Sequence, residues 1–312
     1  MSRIITVANQ KGGSGKSTCV QIKANIFSQD PYNLTILVID LDPQVTQLQT
    51  RWEDLQIYDH LPTFDVITLS VEGYIEFLEN LIDDSTSNNN IIDKGILIGR
   101  NGLDAKNRNC FATNFKRIVE RSGDNDLVAD EQILYNYNGG NFLENYDIIL
   151  IDMPGSIKSD TDLSSILTTS DGVIIPYKPN PKDKKSTATF IKILKSMAEV
   201  RKNNFNLDMQ IAAYINEHRN TKNFNVEKAL TDDLGSFDIQ LFNAHLRVRN
   251  TYVELDTMSA SLFQKAIDEM KNKKDNNVNQ NIELKNFTKE LEKYITNLFG
   301  KPSILNLNLQ TA

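Results

Sequence analysis

Short runs of β-branched and aliphatic residues recur along the chain. Most end on a polar residue and lead into a segment of helical periodicity. Arg3-Ile4-Ile5-Thr6-Val7-Ala8 reads as a short buried strand. A Gly-rich turn follows, then a helical run from Ser17 to about Ser28. Leu34 to Ile39 is the next apolar run, ending in Asp40-Leu41-Asp42-Pro43-Gln44. Tyr146 to Ile151 is a third, ending in Asp152 and then Pro154-Gly155. Gly172-Val173-Ile174-Ile175-Pro176 and Met209 to Ile215 are the fourth and fifth, the last closed by Asn216. Alternation of this kind predicts an α/β fold: a doubly wound, mostly parallel sheet with helices on both faces. Polar residues just after strand C-termini are where open sheets of this class bind ligands.

Elsewhere the pattern is weaker. Tyr74 to Ile82 has a helical look, whereas Asp84 to Asn90 and Gly99 to Asn109 are polar tracts that read as exposed loops. Residues 52–145 therefore form a variable region without a firm element order. Ser186 to Arg201 reads as a helix with Phe190, Ile191, Leu194 and Ala198 on its core face. Lys271 to Asn281 is rich in Lys and Asn and reads as a loop. A last helix, about Glu283 to Phe299, sets Leu284, Phe287, Leu291, Ile295 and Leu298 on one side. There is no internal repeat, and residues 1–312 are expected to form a single domain.

Composition narrows the class. Apolar residues at 40% and charged residues at 24% are ordinary globular values, which argues against a disordered or collagenous chain. No run approaches the roughly 18 uncharged apolar residues of a membrane helix, so stable membrane insertion is not expected. Lys11, Gly12 and Gly13 interrupt the start of the chain too early for a secretory pattern. Cys19 and Cys110 are the only cysteines, which suits a reducing cytoplasm. The net charge of -7 weakens a generally basic nucleic-acid protein but leaves room for a local basic face.

The most informative segment is Gln10-Lys11-Gly12-Gly13-Ser14-Gly15-Lys16-Ser17-Thr18, between the first strand and the first helix. Glycines let several backbone N–H groups face one anion, and the helix N-terminus adds partial positive charge. Lys16 can reach β- and γ-phosphates, Ser17 can ligate Mg²⁺, and Thr18 can help hold an α-phosphate. Phosphoryl transfer to water needs alignment and charge stabilisation rather than covalent chemistry. Asp40, ending its strand, is the candidate to position the attacking water. Asp152 is the candidate to hold a metal-bound water, and Asp42 to support the geometry of the nucleotide site.

The spacing G-x-x-x-x-G-K-[ST] would place Gly at position 10. Gln10 stands there instead, and a second lysine, Lys11, opens Lys-Gly-Gly-Ser-Gly-Lys-Ser. With this loop the sequence resembles the deviant Walker A ATPases, the ParA/MinD family, nearest to short Soj-like ParA partition proteins. Val38-Ile39-Asp40-Leu41-Asp42-Pro43-Gln44 resembles the family's second acidic motif. Ile149-Leu150-Ile151-Asp152-Met153-Pro154-Gly155 resembles its Walker B strand and switch, with Gly155 in place of a second proline. Ser170-Asp171-Gly172-Val173-Ile174-Ile175-Pro176 resembles the strand after it. The resemblance implies a P-loop NTPase fold, ATP and Mg²⁺ as cofactors, and a loop in which Gly12, Gly13, Ser14 and Gly15 cradle phosphate. It further implies a weak, partner-stimulated ATPase and an ATP-dependent homodimer in which Lys11 contacts phosphate on the other subunit. Asn216 would then meet the adenine edge. Partners would be non-specific DNA and a ParB-like adaptor, in partitioning of a plasmid or chromosome at the nucleoid.

Residues 178–202 hold eight Lys/Arg and two acids, a local balance of +6. Lys192 and Lys195 lie three apart on that helix, and Arg247 and Arg249 sit in a segment resembling one near the DNA-contacting surface of ParA proteins. These four are the leading candidates to grip phosphate backbone without reading sequence, with Lys182, Lys184 and Lys185 as weaker contributors. Three rivals fit less well. A MinD-like protein, positioning cargo on a membrane, needs a terminal amphipathic helix with a basic face, whereas the last helix mixes Glu and Lys. An iron-protein reductase needs cysteines near the switches. A metabolic ligase needs a substrate pocket the sequence does not reveal. A conjugation-associated or scaffold-based cargo-positioning relative stands nearest. Only ten residues precede Lys11, so an N-terminal helix-turn-helix and site-specific operator binding are not expected.

Overall fold

A computed structural model describes residues 2–10, 13–29, 31–42, 64–75, 96–98, 146–155, 160–216, 226–244, 246, 278–301 and 303. The strands are β1 (Arg3–Val7), β2 (Ile36–Asp40), β3 (Asp65–Thr68), β4 (Ile96–Ile98), β5 (Ile148–Asp152), β6 (Gly172–Tyr177), β7 (Gln210–Ile215) and β8 (Gln240–Leu241). The helices are α1 (Lys16–Ser28), α2 (Asp160–Thr169), α3 (Pro181–Phe205), α4 (Val226–Leu234) and α5 (Val278–Phe299). The strands form one sheet in the order β4-β3-β2-β5-β1-β6-β7-β8. All neighbours are parallel except β4, which runs antiparallel to β3 at the edge.

Alternate residues of each central strand face opposite layers, as the period of two demands. Ile4, Leu37, Ile39, Ile149, Ile151, Val173, Ile175, Ala213 and Ile215 pack with α2, α3 and α4 through Leu163, Ile166, Phe190, Leu194 and Leu230. Ile5, Val7, Ile36, Val38, Ile148, Leu150, Ile174, Ala212 and Tyr214 pack with α1 and α5. Both faces are apolar because both are covered, the reason these strands read as continuous hydrophobic runs rather than alternating ones. The doubly wound, mostly parallel α/β sheet expected from the sequence is present.

Three short strands, β3, β4 and β8, were not foreseen. Two of them, β3 and β4, fall in the region left without an order. Residues 71–75 are helical, and the rest of the helix expected to Ile82, with the tracts at 84–90 and 99–109, lies outside the described residues. Two helices begin earlier than expected. α3 starts at Pro181 rather than Ser186, because Asn180 accepts the Asp183 N–H at 3.0 Å and Pro fits the first helical position. α5 starts at Val278, so residues 278–281 are helix rather than the loop expected there. Its apolar side, Leu284, Phe287, Leu291, Tyr294, Ile295 and Leu298, is buried against the sheet.

An ionic cluster fastens the N-terminal end of the sheet. Asp171, just before β6, accepts from Arg201 at 2.5 Å, from the Ile4 N–H at 2.9 Å and from the Ser303 hydroxyl at 2.6 Å. Arg201 is fully buried and also donates to the Thr168 carbonyl at 2.8 Å, which satisfies the end of α2. Arg3 donates to the carbonyls of Leu298 at 2.8 Å and Phe299 at 3.1 Å, closing the C-terminus of α5. The Ser170-Asp171-Gly172 segment therefore lies at the end of the sheet opposite the phosphate loop.

Candidate functional site

At the C-terminal ends of β1, β2, β5, β6 and β7 the strands deliver the sequence-predicted residues to one edge. Asp40 and Asp152 end neighbouring strands and lie opposite each other in register, and Asp152 is also paired with Val7 of β1. Both carboxylates are fully buried. The Asp40 carboxylate accepts the Asp42 N–H at 3.0 Å, a local turn that fixes its direction. Asp42 itself is half-buried.

Gly13 and Gly15 adopt φ of 70° and 79°, a left-handed conformation that a side chain would strain. Gly15 caps α1 without any side-chain hydrogen bond, and the first turn of the helix carries no acid. Lys16 opens α1 and is only 6% exposed. Burial pushes its ammonium below the ordinary lysine range, and the fields of Asp152 and Asp42 act against that shift. Ser17 and Thr18 follow in the first turn, each half-buried. Lys11 and Gly12 lie outside the described residues.

The loop is held from behind by strand ends. The Asn9 side chain donates to the Pro176 carbonyl at 2.8 Å. Lys178, directly after β6, donates from Nζ to the Gly13 carbonyl. Asn216, directly after β7, donates from Nδ2 to the Ser14 carbonyl at 2.7 Å. Sequence reasoning placed Asn216 at an adenine edge; the structure places its amide on the phosphate loop. Lys178 was read only as part of a basic stretch. The signal that could have found it is its position immediately after a strand C-terminus.

The donor set fits a nucleotide with Mg²⁺. The Ser14 hydroxyl is buried and has no hydrogen-bond partner among the described residues. The loop offers backbone N–H groups and an ammonium for phosphate, while Ser17 and Asp152 supply hard oxygen donors suited to Mg²⁺. A family model described as an AAA domain matches residues 2–211, more than half of the chain. The chain belongs to the AAA domain family. Its two-lysine loop makes it a ParA/MinD-type member.

An uncharacterized protein of Methanocaldococcus jannaschii, MJECL24, is 25% identical over 228 residues, 68% of this chain and 71% of that one. A plasmid partition protein from Borrelia burgdorferi is 20% identical, covering 85% of this chain and 100% of that one with a TM-score of 0.41. Cobyrinic acid a,c-diamide synthase from Mycobacterium smegmatis, bound to ADP and magnesium, is 16% identical, covering 85% and 92% with a TM-score of 0.44.

The basic stretch is redistributed by folding. Arg201 is interior, Lys184 pairs with Asp233, and Lys202 pairs with Asp208 at 3.0 Å. Lys195 is half-buried and donates to the Phe237 carbonyl at 2.7 Å. Lys182, Lys185 and Lys192 are exposed and recur at helical spacing on one face of α3. Arg247 and Arg249 lie outside the described residues. Cys19 is buried in α1 with its thiol against the Tyr214 hydroxyl, and Cys110 lies outside the described residues. No helix among the described residues is long and apolar enough to cross a membrane.

Proposed function

We propose that this protein is a ParA-like ATPase that dimerises with ATP, binds DNA without sequence preference and moves a DNA cargo with a ParB-like adaptor. The observation that carries the reading is the two-lysine phosphate loop, set at the sheet edge where Asp40 and Asp152 end adjacent strands. Bound ATP and Mg²⁺ supply the transferable phosphoryl group and its counter-charge. Lys16 would neutralise phosphate oxygens, and Ser17 and Asp152 would hold the metal, Asp152 by way of a bound water. Asp40, its direction fixed by the Asp42 N–H, orients the attacking water. Lys11 reaches across the dimer, and Asp42 supports the site. Asn216 acts on the loop through Ser14, and its carbonyl oxygen serves the adenine edge.

For DNA, Lys182, Lys185 and Lys192 now lead, since their ammonium groups stand on one exposed face. Lys195 is a further candidate on α3, and Arg247 and Arg249 stay candidates on their sequence alone. The apolar side of α5, the helix a membrane-positioning reading would use, is buried in the core, which supports the DNA reading over it.

Sedimentation of the wild type and Lys11→Ala with ADP and with ATP tests the dimer. The wild type should dimerise only with ATP, and Lys11→Ala should stay monomeric. Equal monomer populations in all four conditions would refute the face-to-face dimer. A DNA titration with ATP then compares wild type with a Lys182→Ala/Lys185→Ala/Lys192→Ala variant at several salt concentrations. The slope of log affinity on log salt should shrink by about one per lysine contacting phosphate. Binding to anionic liposomes but not to DNA at low salt would overturn the partition reading.

A further inference from the structure

The deviant loop is tied to the sheet by two side chains from neighbouring strands. Tyr177 and Ile215 are paired across β6 and β7, and the next residues, Lys178 and Asn216, take hold of consecutive loop carbonyls, Gly13 and Ser14. In a trans peptide the C=O and the following N–H point in opposite directions. Drawing those two carbonyls toward the residues that follow β6 and β7 turns the N–H groups of Ser14 and Gly15 away from them. The left-handed φ at Gly13 and Gly15 permits that arrangement. We infer that Lys178 is a positioning residue of the nucleotide site, acting through the Gly13 carbonyl to preset the phosphate-binding N–H groups. The inference rests on the nucleotide-binding reading above.

Preset donors matter because an anion then gains their hydrogen bonds without first ordering the loop. Lys178 also stands two residues before Asn180, the N-cap of α3, so the tether joins the phosphate loop to the start of the basic helix. An arginine at position 178 keeps a charged donor of similar reach. A methionine keeps the length and apolar stem but donates nothing.

The test measures binding of AMPPNP with Mg²⁺ by calorimetry for wild type, Lys178→Met and Lys178→Arg, with amide hydrogen exchange on the nucleotide-free proteins. Loss of one charged hydrogen bond should weaken AMPPNP binding of Lys178→Met about tenfold. Lys178→Arg should stay within about threefold of wild type, as a guanidinium can replace the donor. The Ser14 and Gly15 amides should exchange faster in Lys178→Met while the melting temperature is unchanged, a pattern general destabilisation would not give. Wild-type affinity in Lys178→Met would overturn the inference. So would a deficit that disappears in high salt, which would mark a remote charge rather than a tether. Failure of the underlying reading looks different: the wild type itself would not bind AMPPNP.

Discussion

Gly172 opens β6 where α5 crosses the sheet, and it offers a measurable test of how that helix is seated. A Cβ built at Gly172 would lie well inside contact distance of the Tyr294 hydroxyl, 3.1 Å from Tyr294 Cζ and 3.0 Å from Leu298 Cδ1. Tyr294 is fully buried and donates to the Gln210 carbonyl at 2.9 Å, so it has no free space to enter. Gly172→Ala must shift the ring. Overpacking of this kind costs about 1–3 kcal/mol, and loss of the phenol hydrogen bond adds about 1 kcal/mol. A total of about 2–4 kcal/mol corresponds to roughly 3–6 °C in Tm for a chain of this size. Tyr294→Phe alone should cost about 1 kcal/mol. In the Gly172→Ala background it should cost less or stabilise, because it removes the atom the new methyl meets. Denaturation of the four proteins, followed by circular dichroism, gives the cycle. A Gly172→Ala variant within about 0.5 kcal/mol of wild type, or an additive cycle, would refute the packing argument. AMPPNP affinity should be unchanged at temperatures where both proteins are folded, since Gly172 sits at the opposite end of the sheet from the loop.

Lys16→Ala should lose nucleotide affinity by about 10–100-fold, because it removes the charged donor at the start of α1; calorimetry checks it. Asp40→Ala should bind ATP yet hydrolyse it at least about 100-fold more slowly, and phosphate release at the wild-type rate would refute the role of Asp40. Lys23 is fully buried on α1, with its ammonium 5.2 Å from the Tyr214 ring and 5.5 Å from the Phe287 ring, and burial lowers its pKa. A lysine whose folded pKa is depressed penalises folding below that pKa and loses the penalty as pH rises to the unfolded value of about 10.4. Lys23→Met should therefore raise Tm at pH 7 by more than it does near pH 10, and a difference independent of pH would count against a charged, buried Lys23.

How much of this was legible beforehand follows from where the signals are local. The phosphate loop announced itself because strand, glycines, lysine and helix occupy a few consecutive residues. Asp40 and Asp152 were legible as strand-ending acids, yet their register across β2 and β5 joins positions over a hundred residues apart, which no local pattern contains. β3 was readable in Phe64-Asp65-Val66-Ile67-Thr68-Leu69 but was obscured by the polar sequence around it. β4 and β8, at three and two residues, are too short for periodicity to register. The start of α3 was legible in Asn180-Pro181, a cap followed by a favoured first residue, and was missed because lysines dominate the turn that follows. The surface charge could not be read from sequence: a count of eight cations says nothing about Arg201 turning inward or Lys195 meeting a carbonyl.

The direction of each strand explains why similar aspartates reach opposite edges of the sheet. Asp171 precedes β6, at the sheet's N-terminal edge, and Arg201, the Ile4 N–H and Ser303 hold its carboxylate in place. Removing one partner there would leave a buried charge uncompensated, the expensive case for an interior ion pair. Asp40 and Asp152 end their strands, at the edge where α1 begins. There Asp152, with Asp42, favours the charged form of Lys16 against the effect of burial. A carboxylate placed before a strand thus becomes part of the fastening that joins α2, α3 and α5, while one that ends a strand lies at the edge where Lys16 opens α1. The two motifs looked alike as acids beside apolar runs; their place at the start or the end of the run decides which edge of the sheet each one reaches.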